Sequence, residues 1–322
     1  MASYGPNPVG RILMFERLET GKILWVDGRS LFDHPAQFDA CGHGIDNGNY
    51  ALEGLRAYDG QLFKPEAHIA RLLASARILR LSCPYSAEQI IGACNEVVAM
   101  PGMRNAYLRP VIWRSASSID PNSMDATVHL AIIGWSWPAS CSTEQAPTPA
   151  RLSLAPWHML MPQNLRGDIK YTHLLERYTM PRLEARESGL DDALMQDHRG
   201  IITQTTSANI FFVCAGTLHT PKVENFINGI TRQTIIDIAR WENIAVYERH
   251  ILPSAIGYAS EVFITGTATG VAPVEAIGDC KFHPGEITAL MLDRYRRLVR
   301  TRSPAQLRNE PRKLPVKQKA WS

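Results

Sequence analysis

The sequence predicts an α+β fold divided into two domains, and three observations support this prediction. The chain has 322 residues, which is more than one ordinary domain of roughly 100 to 200 residues. Strand-like and helix-like segments occur together in both halves. Residues 136–150 contain three prolines among small polar residues, a composition that favours neither helix nor strand. We therefore expect a small N-terminal α+β domain at 1–135, an interdomain linker at 136–150 and a larger C-terminal domain at 151–322 with a basic tail from about 303.

The N-terminal half combines short strands with two amphipathic helices. Apolar residues recur at helical spacing in two segments, and the second segment opens with the helix-initiating sequence Ser-Ala-Glu. The expected elements are a strand at 21–28, helices at 64–81 and 86–100, and strands at 105–114 and 126–135, with a glycine-dotted stretch at 42–48. This half is therefore predicted to form a compact α+β unit.

The C-terminal half alternates strands with helices, and the chain has no internal repeat. The expected elements are strands at 151–156, 192–197, 209–213 and 261–265, and helices at 171–188, 231–241 and 284–302. Beyond residue 302 the sequence lacks apolar periodicity. We therefore expect the basic tail to be peripheral.

The composition argues against several classes of protein. Apolar residues make up 45% and charged residues 20% of the chain, as in folded globular proteins. No apolar run approaches the roughly 18 residues of a membrane helix, and a net charge of +3 argues against a nucleic-acid coat. The six cysteines include no CxxC pair and no histidine at zinc-finger spacing, so we expect no metal site. Because the N-terminus also lacks signal-peptide character, the sequence favours a cytoplasmic protein.

Three local motifs carry candidate chemistry. Gly-Ile-Thr-Arg at 229–232 opens a helix, and Thr-Gly-Thr-Ala-Thr-Gly at 265–270 follows an apolar strand. Both offer backbone N–H groups and hydroxyls of the kind that hold a phosphate, although each alone also fits a plain helix cap or turn. Lys170 lies between a strand-like stretch and a helix. Lysines are usually solvated, but a partly desolvated lysine can act as an amine nucleophile.

The order of the motifs along the chain is more specific than any one of them. They are the segments 53–63, 68–72, 107–110, 207–212, 229–232 and 261–268, with Lys170 in the middle. Together they resemble the fold type IV pyridoxal-phosphate aminotransferases over about residues 23 to 300. The likeness is greatest to branched-chain amino acid aminotransferases, with D-amino acid aminotransferases and aminodeoxychorismate lyase as relatives. The resemblance implies a mixed, barrel-like sheet with flanking helices in the C-terminal domain, pyridoxal 5'-phosphate between the domains, and a homodimer in which a neighbouring loop closes the site.

The resemblance also implies residue roles at the cofactor. Lys170 would form the Schiff base with pyridoxal phosphate and move the proton between the substrate Cα and the cofactor C4′. Arg56 would grip the phosphate, helped by Ile230, Thr231 and Thr267. A dianionic phosphate suits one fixed cation and several aligned N–H donors.

Further roles follow for an amino acid substrate and its keto acid counterpart. Tyr107, with the main chain at Thr267 and Ala268, would receive the α-carboxylate. Arg109 matches an arginine that can accept an acidic side chain such as that of glutamate, and a structural salt bridge is its alternative role. Asn47 and Leu52 would line the side-chain pocket.

Gln204 departs from the family pattern. The family has a glutamate there, which pairs with the pyridine nitrogen and keeps it protonated. A neutral amide can only offer a hydrogen bond, so a carbanion at the substrate Cα would be less stabilised. We therefore expect either slower transamination than in a glutamate enzyme or a reaction that depends less on the quinonoid, and we expect Gln204→Glu to raise turnover with amino-acid donors.

Other departures concern the substrate pocket. Leu175 occupies the position of a tyrosine near the cofactor's phenolic oxygen, and His173 could replace that contact or simply pack. Asn47 stands where a tyrosine is expected and Leu52 where a phenylalanine is expected. The pocket is therefore expected to be roomier or more polar than a standard aliphatic one.

Three functions stay open at this point. The leading hypothesis is an aminotransferase working by a ping-pong cycle between an amino donor and an α-keto acid. The first alternative is a pyridoxal-phosphate lyase, decarboxylase or specialised biosynthetic enzyme, because one fold hosts several chemistries. The second is a cofactor-binding protein with weak activity.

Overall fold

The strands of the chain form two sheets in the computed structural model, which describes residues 22–31, 50–115, 126–137, 147–159, 170, 172–224 and 226–301. At 23, 157–159 and 172–176 it describes the backbone. The expected features at 42–48, in most of 136–150 and in the basic tail fall outside these residues. No helix in the described part of the chain is long and apolar enough to cross a membrane.

The first sheet has seven antiparallel strands. They are β1 (Lys22–Val26), β2 (Arg29–Ser30), β3 (Ala51–Leu52), β4 (Leu55–Tyr58), β5 (Gln61–Leu62), β6 (Ala106–Arg114) and β7 (Val128–Ser136). Their order is β2-β1-β7-β6-β4-β5, and β3 pairs with β6 as well. In the register of β4 and β6, Arg56 lies opposite Tyr107. This pairing brings two predicted site residues together.

Two helices cover the first sheet, α1 (Pro65–Ile78) and α2 (Ala87–Ala99). The hydroxyl of Ser86 accepts from the Gln89 N–H while the Gln89 side chain accepts from the Ser86 N–H, a capping box that fixes the start of α2. Buried apolar residues from both helices and the sheet form one core. The two predicted helices are therefore confirmed, each slightly shorter than expected.

The second sheet is mixed and has nine strands within the described residues. They are β8 (Ala150–Met159), β9 (Asp192–Asp197), β10 (Ile202–Thr205), β11 (Asn209–Cys214), β12 (Thr217–Pro221), β13 (Val246–Arg249), β14 (Glu261–Gly266), β15 (Gly270–Ile277) and β16 (Cys280–Lys281). Their order is β10-β9-β8-β15-β14-β11-β12-β13, with β16 beside β15. The pairs β8–β9, β8–β15 and β12–β13 are parallel, and the others are antiparallel.

Helices flank the second sheet. They are α3 (Thr172–Glu187), α4 (Ile230–Trp241), a 3₁₀ helix (Pro253–Tyr258) and α5 (Glu286–Leu298). α4 and α5 share a core with β11, β14 and β15, whereas α3 packs on β8 and β9. The expected helix at 284–302 ends at Leu298, so it is shorter than its apolar pattern indicates. This packing places the start of α4 beside the ends of β11 and β14.

Candidate active site

Lys170 is held through its main chain by residues of the first sheet and its helices. Its carbonyl oxygen accepts a hydrogen bond from the Leu52 N–H at 3.4 Å, and its N–H donates to the Ser75 hydroxyl at 3.1 Å. Both partners are buried. Its Nζ lies 3.7 Å from Glu53 Oε2, and the side chain is 19% exposed. The lysine is therefore partly desolvated and beside a carboxylate.

Glu53 is the centre of a buried ion cluster. Its carboxylate accepts two hydrogen bonds from the Arg71 guanidinium, one of them at 3.0 Å, and it contacts His68 Nδ1 at 3.1 Å. Burial alone would raise the pKa of Glu53, but the charges of Lys170 and Arg71 and the hydrogen bonds hold it well below its usual range. Glu53 is therefore an anion shared by two cations.

His68 completes this cluster as a neutral group. Burial lowers the pKa of His68, and the nearby Glu53 opposes that effect only in part. Because an ionised carboxylate can only accept, the contact assigns the proton to Nδ1 of the ring. With one anion and two cations, the cluster keeps a net positive charge that suits an anionic ligand.

Arg71 links the cluster to the start of α4. Its Nη1 donates to the Asn228 carbonyl oxygen at 3.1 Å. Gly229 is the N-cap of α4 and has no side chain to cap the helix, so the N–H groups of Ile230 and Thr231 remain available at the positive end of the helix. The sequence motif at 68–72 contained Arg71, but sequence reasoning gave it no role. Its spacing of three residues from buried His68 and four from buried Ser75 places Arg71 on the same face of α1 as these residues.

Arg56 reaches the second predicted phosphate segment. Its guanidinium carbon lies 3.9 Å from the centre of the Trp137 ring and 4.8 Å from that of Tyr58. Its Nη1 donates to the Ala268 carbonyl oxygen at 3.4 Å, and its buried Nε has no hydrogen-bond partner among the described residues. Thr267 and Ala268 are half-buried in the turn between β14 and β15. Arg56 thus contacts the predicted phosphate segment at 265–270, and Arg71 contacts the residue just before the segment at 229–232.

A pair of tyrosines lies between Arg56 and α4. Burial raises the pKa of the Tyr295 hydroxyl well above the usual value, and Tyr58 and Thr231 lie close enough to act on the same hydroxyl. The charge of Arg56 acts on the same hydroxyl. The predicted residues Arg56 and Thr231 therefore belong to one polar cluster.

Two of the predicted substrate residues, Tyr107 and Arg109, lie on β6. Tyr107 is buried between Trp135 and Trp137, with ring centres 5.8 and 6.2 Å away. A Cβ added at Gly54 would lie 2.2 Å from the Tyr107 hydroxyl, so only glycine permits this approach. The Arg109 guanidinium carbon lies 5.1 Å from the Trp135 ring centre, and its buried Nε has no partner among the described residues.

Leu52 and Asn47 complete the predicted pocket residues. Leu52 is buried at the end of β3, and its N–H contacts Lys170. Asn47 lies outside the described residues, as do the side chains of His173 and Leu175. The predicted pocket is therefore only partly described.

Gln204 lies on β10 and is 6% exposed. Its Oε1 accepts a hydrogen bond from Asn209 Nδ2 at 3.3 Å. Asn209 Nδ2 also donates to the Ile227 carbonyl oxygen at 3.1 Å, and a Cβ at Gly229 would lie 2.1 Å from Asn209 Oδ1. Gln204 is thus joined through Asn209 to the start of α4. A continuous path of contacts runs from Gln204 to Arg71, Glu53 and Lys170.

This arrangement has the parts of a site for a phosphate-bearing ligand that reacts with an amine. The model of the family described as amino-transferase class IV matches residues 51–277. The chain belongs to the class IV aminotransferases. The match covers most strands of both sheets, and it includes every residue of the path from Gln204 to Lys170.

Curated class IV aminotransferases match most of the chain. A probable branched-chain-amino-acid aminotransferase of Rickettsia typhi is 34% identical over 284 residues, covering 87% of this chain and 97% of the relative. The branched-chain-amino-acid aminotransferase of Pseudomonas aeruginosa is 29% identical over 269 residues, covering 82% and 87%. The predicted family resemblance is therefore confirmed.

Solved structures of the family share the fold. The branched-chain aminotransferase of Thermoproteus uzoniensis with norvaline has a TM-score of 0.80 at 30% identity, covering 87% of this chain and 95% of that one. The T.th. branched-chain amino acid aminotransferase with pyridoxamine 5'-phosphate has a TM-score of 0.83 at 27% identity, covering 88% and 96%. The predicted α+β fold of fold type IV aminotransferases is confirmed.

Proposed function

We propose that this aminotransferase uses pyridoxal 5'-phosphate to move an amino group from an amino acid to an α-keto acid, with Lys170 as the catalytic residue. The observation that carries the proposal is the partly desolvated Lys170 amine 3.7 Å from the buried Glu53 carboxylate. The T.th. relative was solved with pyridoxamine 5'-phosphate and with a phosphopyridoxyl glutamate. When bound, this cofactor carries the amino group and serves as the electron sink for the substrate Cα.

The residues present suit the cofactor's phosphate. The uncapped start of α4 offers the N–H groups of Ile230 and Thr231, and the turn after β14 offers Thr267. Arg56 was predicted from the sequence to grip the phosphate. Because Arg71 bonds the carbonyl oxygen just before the N-cap of α4, we propose that Arg71 shares this role with Arg56.

Glu53 and Lys170 act as a pair in this proposal. Glu53 holds the Lys170 ammonium when no other anion is near, because a fully buried carboxylate has no competing water. Lys170 moves the proton at the substrate Cα once its amine is free of the cofactor. Gln204 would face the ring nitrogen of the cofactor and, being neutral, would stabilise negative charge at the substrate Cα less than a glutamate.

The substrate residues favour carboxylate ligands. Tyr107, with Thr267 and Ala268, receives the α-carboxylate. The Arg109 Nε, which has no partner among the described residues, donates to the second carboxylate of a dicarboxylic keto acid. Leu52 and Asn47 line the side-chain pocket, which differs from that of standard branched-chain enzymes. The relatives' names make branched-chain amino acids the first donors to test.

The assembly and location follow the same reasoning. We propose that the two sheets with their helices form the two domains predicted at 1–135 and 151–322. We also propose a homodimer, whose neighbouring subunit closes the pocket, and a cytoplasmic location. Analytical ultracentrifugation of the cofactor-loaded enzyme tests the dimer, because a monomer that retains full activity would contradict it.

The decisive experiment is a screen of amino donors against 2-oxoglutarate and pyruvate. Transamination predicts that an amino acid removes the cofactor's visible absorbance and that a keto acid restores it. Lys170→Ala should abolish both changes, and Lys222→Ala, an exposed lysine, serves as the matched control. Release of carbon dioxide or pyruvate without an acceptor would contradict the proposal and favour the lyase alternative.

A further inference from the structure

The ring-nitrogen end of the proposed site contains a buried pair of neutral amides, Gln204 and Asn209. They are 6% and 5% exposed. A side-chain amide has one end that only accepts and one end that only donates, so its orientation decides what it offers to a ligand. The surroundings of Asn209 fix this orientation.

The orientation of Asn209 is set by two neighbours. Its Nδ2 lies 3.1 Å from the Ile227 carbonyl oxygen, which can only accept, so the NH₂ group must face that carbonyl. Its Oδ1 faces the Cα of Gly229, where a Cβ would lie only 2.1 Å away. Turning the amide over would set oxygen against the Ile227 oxygen. Asn209 is therefore locked with its NH₂ group toward Ile227.

The orientation of Gln204 follows from that of Asn209. The same Asn209 Nδ2 donates its second hydrogen to Gln204 at 3.3 Å, and only the oxygen of Gln204 can accept it. The Nε2 of Gln204 is therefore the end left for another partner. Gln204 presents a donor there, whereas a glutamate would present an acceptor.

Tyr178 gives an independent sign that a ligand group is received here. It lies on α3, is 3% exposed, and its hydroxyl has no hydrogen-bond partner among the described residues. Burial raises its pKa, and the charge of Arg177 and the nearby Gln204 oppose that effect. A buried hydroxyl without a partner costs about 1–3 kcal/mol, so a polar group of a ligand is its natural partner.

We propose that Asn209 is a positioning residue that turns the donor end of Gln204 toward the pyridine nitrogen of the cofactor, so that this nitrogen is held unprotonated. The inference rests on the proposed place of Gln204 at that nitrogen. A protonated nitrogen would bring two N–H donors together, which is unfavourable in a buried site. An unprotonated ring nitrogen would accept a hydrogen bond from Gln204 Nε2, and the Tyr178 hydroxyl would be a second donor at this end of the site.

The test is ¹⁵N NMR of the holoenzyme loaded with pyridoxal phosphate labelled at the ring nitrogen. The wild-type signal should lie in the unprotonated pyridine range, and Gln204→Glu should move it to the pyridinium range. Asn209→Asp should also move it toward the pyridinium range, because an aspartate can only accept and would draw the NH₂ group of Gln204 to itself. A pyridinium signal in the wild type overturns the proposal without any variant.

Asn228→Asp is the matched control for charge. Its side-chain oxygen accepts from Arg232 at 3.1 Å, a role that aspartate keeps, and it stands one residue from both Ile227 and Gly229. It should leave the ¹⁵N signal unchanged. An equal shift of the signal in Asn228→Asp and Asn209→Asp overturns the argument about the orientation of Gln204.

Two failures can be told apart. If Gln204→Glu leaves the signal unchanged, Gln204 is not at the ring nitrogen and the proposed site fails with the inference. If Gln204→Glu shifts the signal but a folded Asn209→Asp does not, only the inference about Asn209 is overturned.

Discussion

The two ends of the proposed site hold their buried polar groups in different ways, one with charged partners and the other with neutral amides. At one end the Glu53 carboxylate is shared by the cations of Arg71 and Lys170 and by neutral His68. At the other end Gln204 and Asn209 are neutral amides, and the Tyr178 hydroxyl has no partner among the described residues. The chain therefore concentrates charge where a dianionic phosphate and an amine are proposed to meet. At the ring-nitrogen end it places neutral amides and a hydroxyl, on which the charge of Arg177 acts.

The difference predicts different sensitivities. Removing one member of a buried ion cluster leaves an uncompensated charge, which costs several kcal/mol. Disturbing a neutral hydrogen bond costs about 1–3 kcal/mol when a partner is left unsatisfied. Substitutions at the Glu53 end should therefore have larger effects than those at the Gln204 end.

Lys170→Ala should have the largest effect on activity. It removes the amine proposed to bind the cofactor and move the proton, so kcat/KM should fall by about 10³-fold or more. Keto acid formation from the best donor in the screen measures the loss. Retention of a tenth of the activity would remove Lys170 from the catalytic role.

Glu53→Gln should have the largest effect on stability. It leaves Arg71 and Lys170 without their shared anion and should lower the free energy of unfolding by about 3 kcal/mol, near the low end for a broken buried pair because both cations keep some contact with water. Denaturant unfolding measures the change. Glu96→Gln, an exposed site on α2, should change the value by less than about 0.5 kcal/mol. Equal losses of unfolding free energy in Glu53→Gln and Glu96→Gln would contradict a stabilising role for the ion cluster.

The sequence predicted elements whose signal is local. The helices at 64–81 and 86–100 followed from apolar spacing within one segment, and the structure contains both. β15 was not predicted, because Pro273 interrupts its apolar run and proline normally argues against a strand between two neighbours. β15 nevertheless pairs with both β14 and β8. Tertiary pairing overrode the local signal.

The candidate site shows the same limit. Sequence motifs indicated Lys170 and Gln204, since each stands at a recognisable position. The partnership of Arg71 with Glu53 and Asn228 joins residues far apart in the chain, and the orientation of Gln204 depends on the Ile227 carbonyl through Asn209. No local pattern encodes such contacts, so the sequence alone could not predict them.

Gly229→Ala should disturb the neutral end by a smaller amount. Its new Cβ would meet Asn209 Oδ1, so Asn209 must move at a cost of about 1–3 kcal/mol in unfolding free energy. Cofactor affinity, measured by fluorescence titration, should also fall because the start of α4 moves with it. Gly92→Ala, inside α2 with open space around it, should instead stabilise by about 0.5–1 kcal/mol. A change in unfolding free energy of the same sign in Gly229→Ala and Gly92→Ala would contradict the close packing of Gly229.

The smallest expected effect is a pH dependence of the unfolding free energy. It distinguishes the contribution of His68 from that of Glu53 within the charged end. Burial lowers the pKa of His68 from 6.5, so the unfolded chain takes up its proton first and stability should fall as the pH drops below about 6.5. One proton limits the slope to about 1.4 kcal/mol per pH unit. The pKa of Glu53 is also lowered, so Glu53 adds to the pH dependence of stability only below about pH 4.5, where the carboxyl of the unfolded chain becomes protonated. Unfolding free energies between pH 7.5 and about 5 should therefore show a shallower slope in His68→Asn and an unchanged slope in His283→Asn, an exposed site. The slope that remains in His68→Asn comes in part from His219, whose pKa burial also lowers. An unchanged slope in His68→Asn would mean that folding does not lower the pKa of His68, and the neutral role given to it would be wrong.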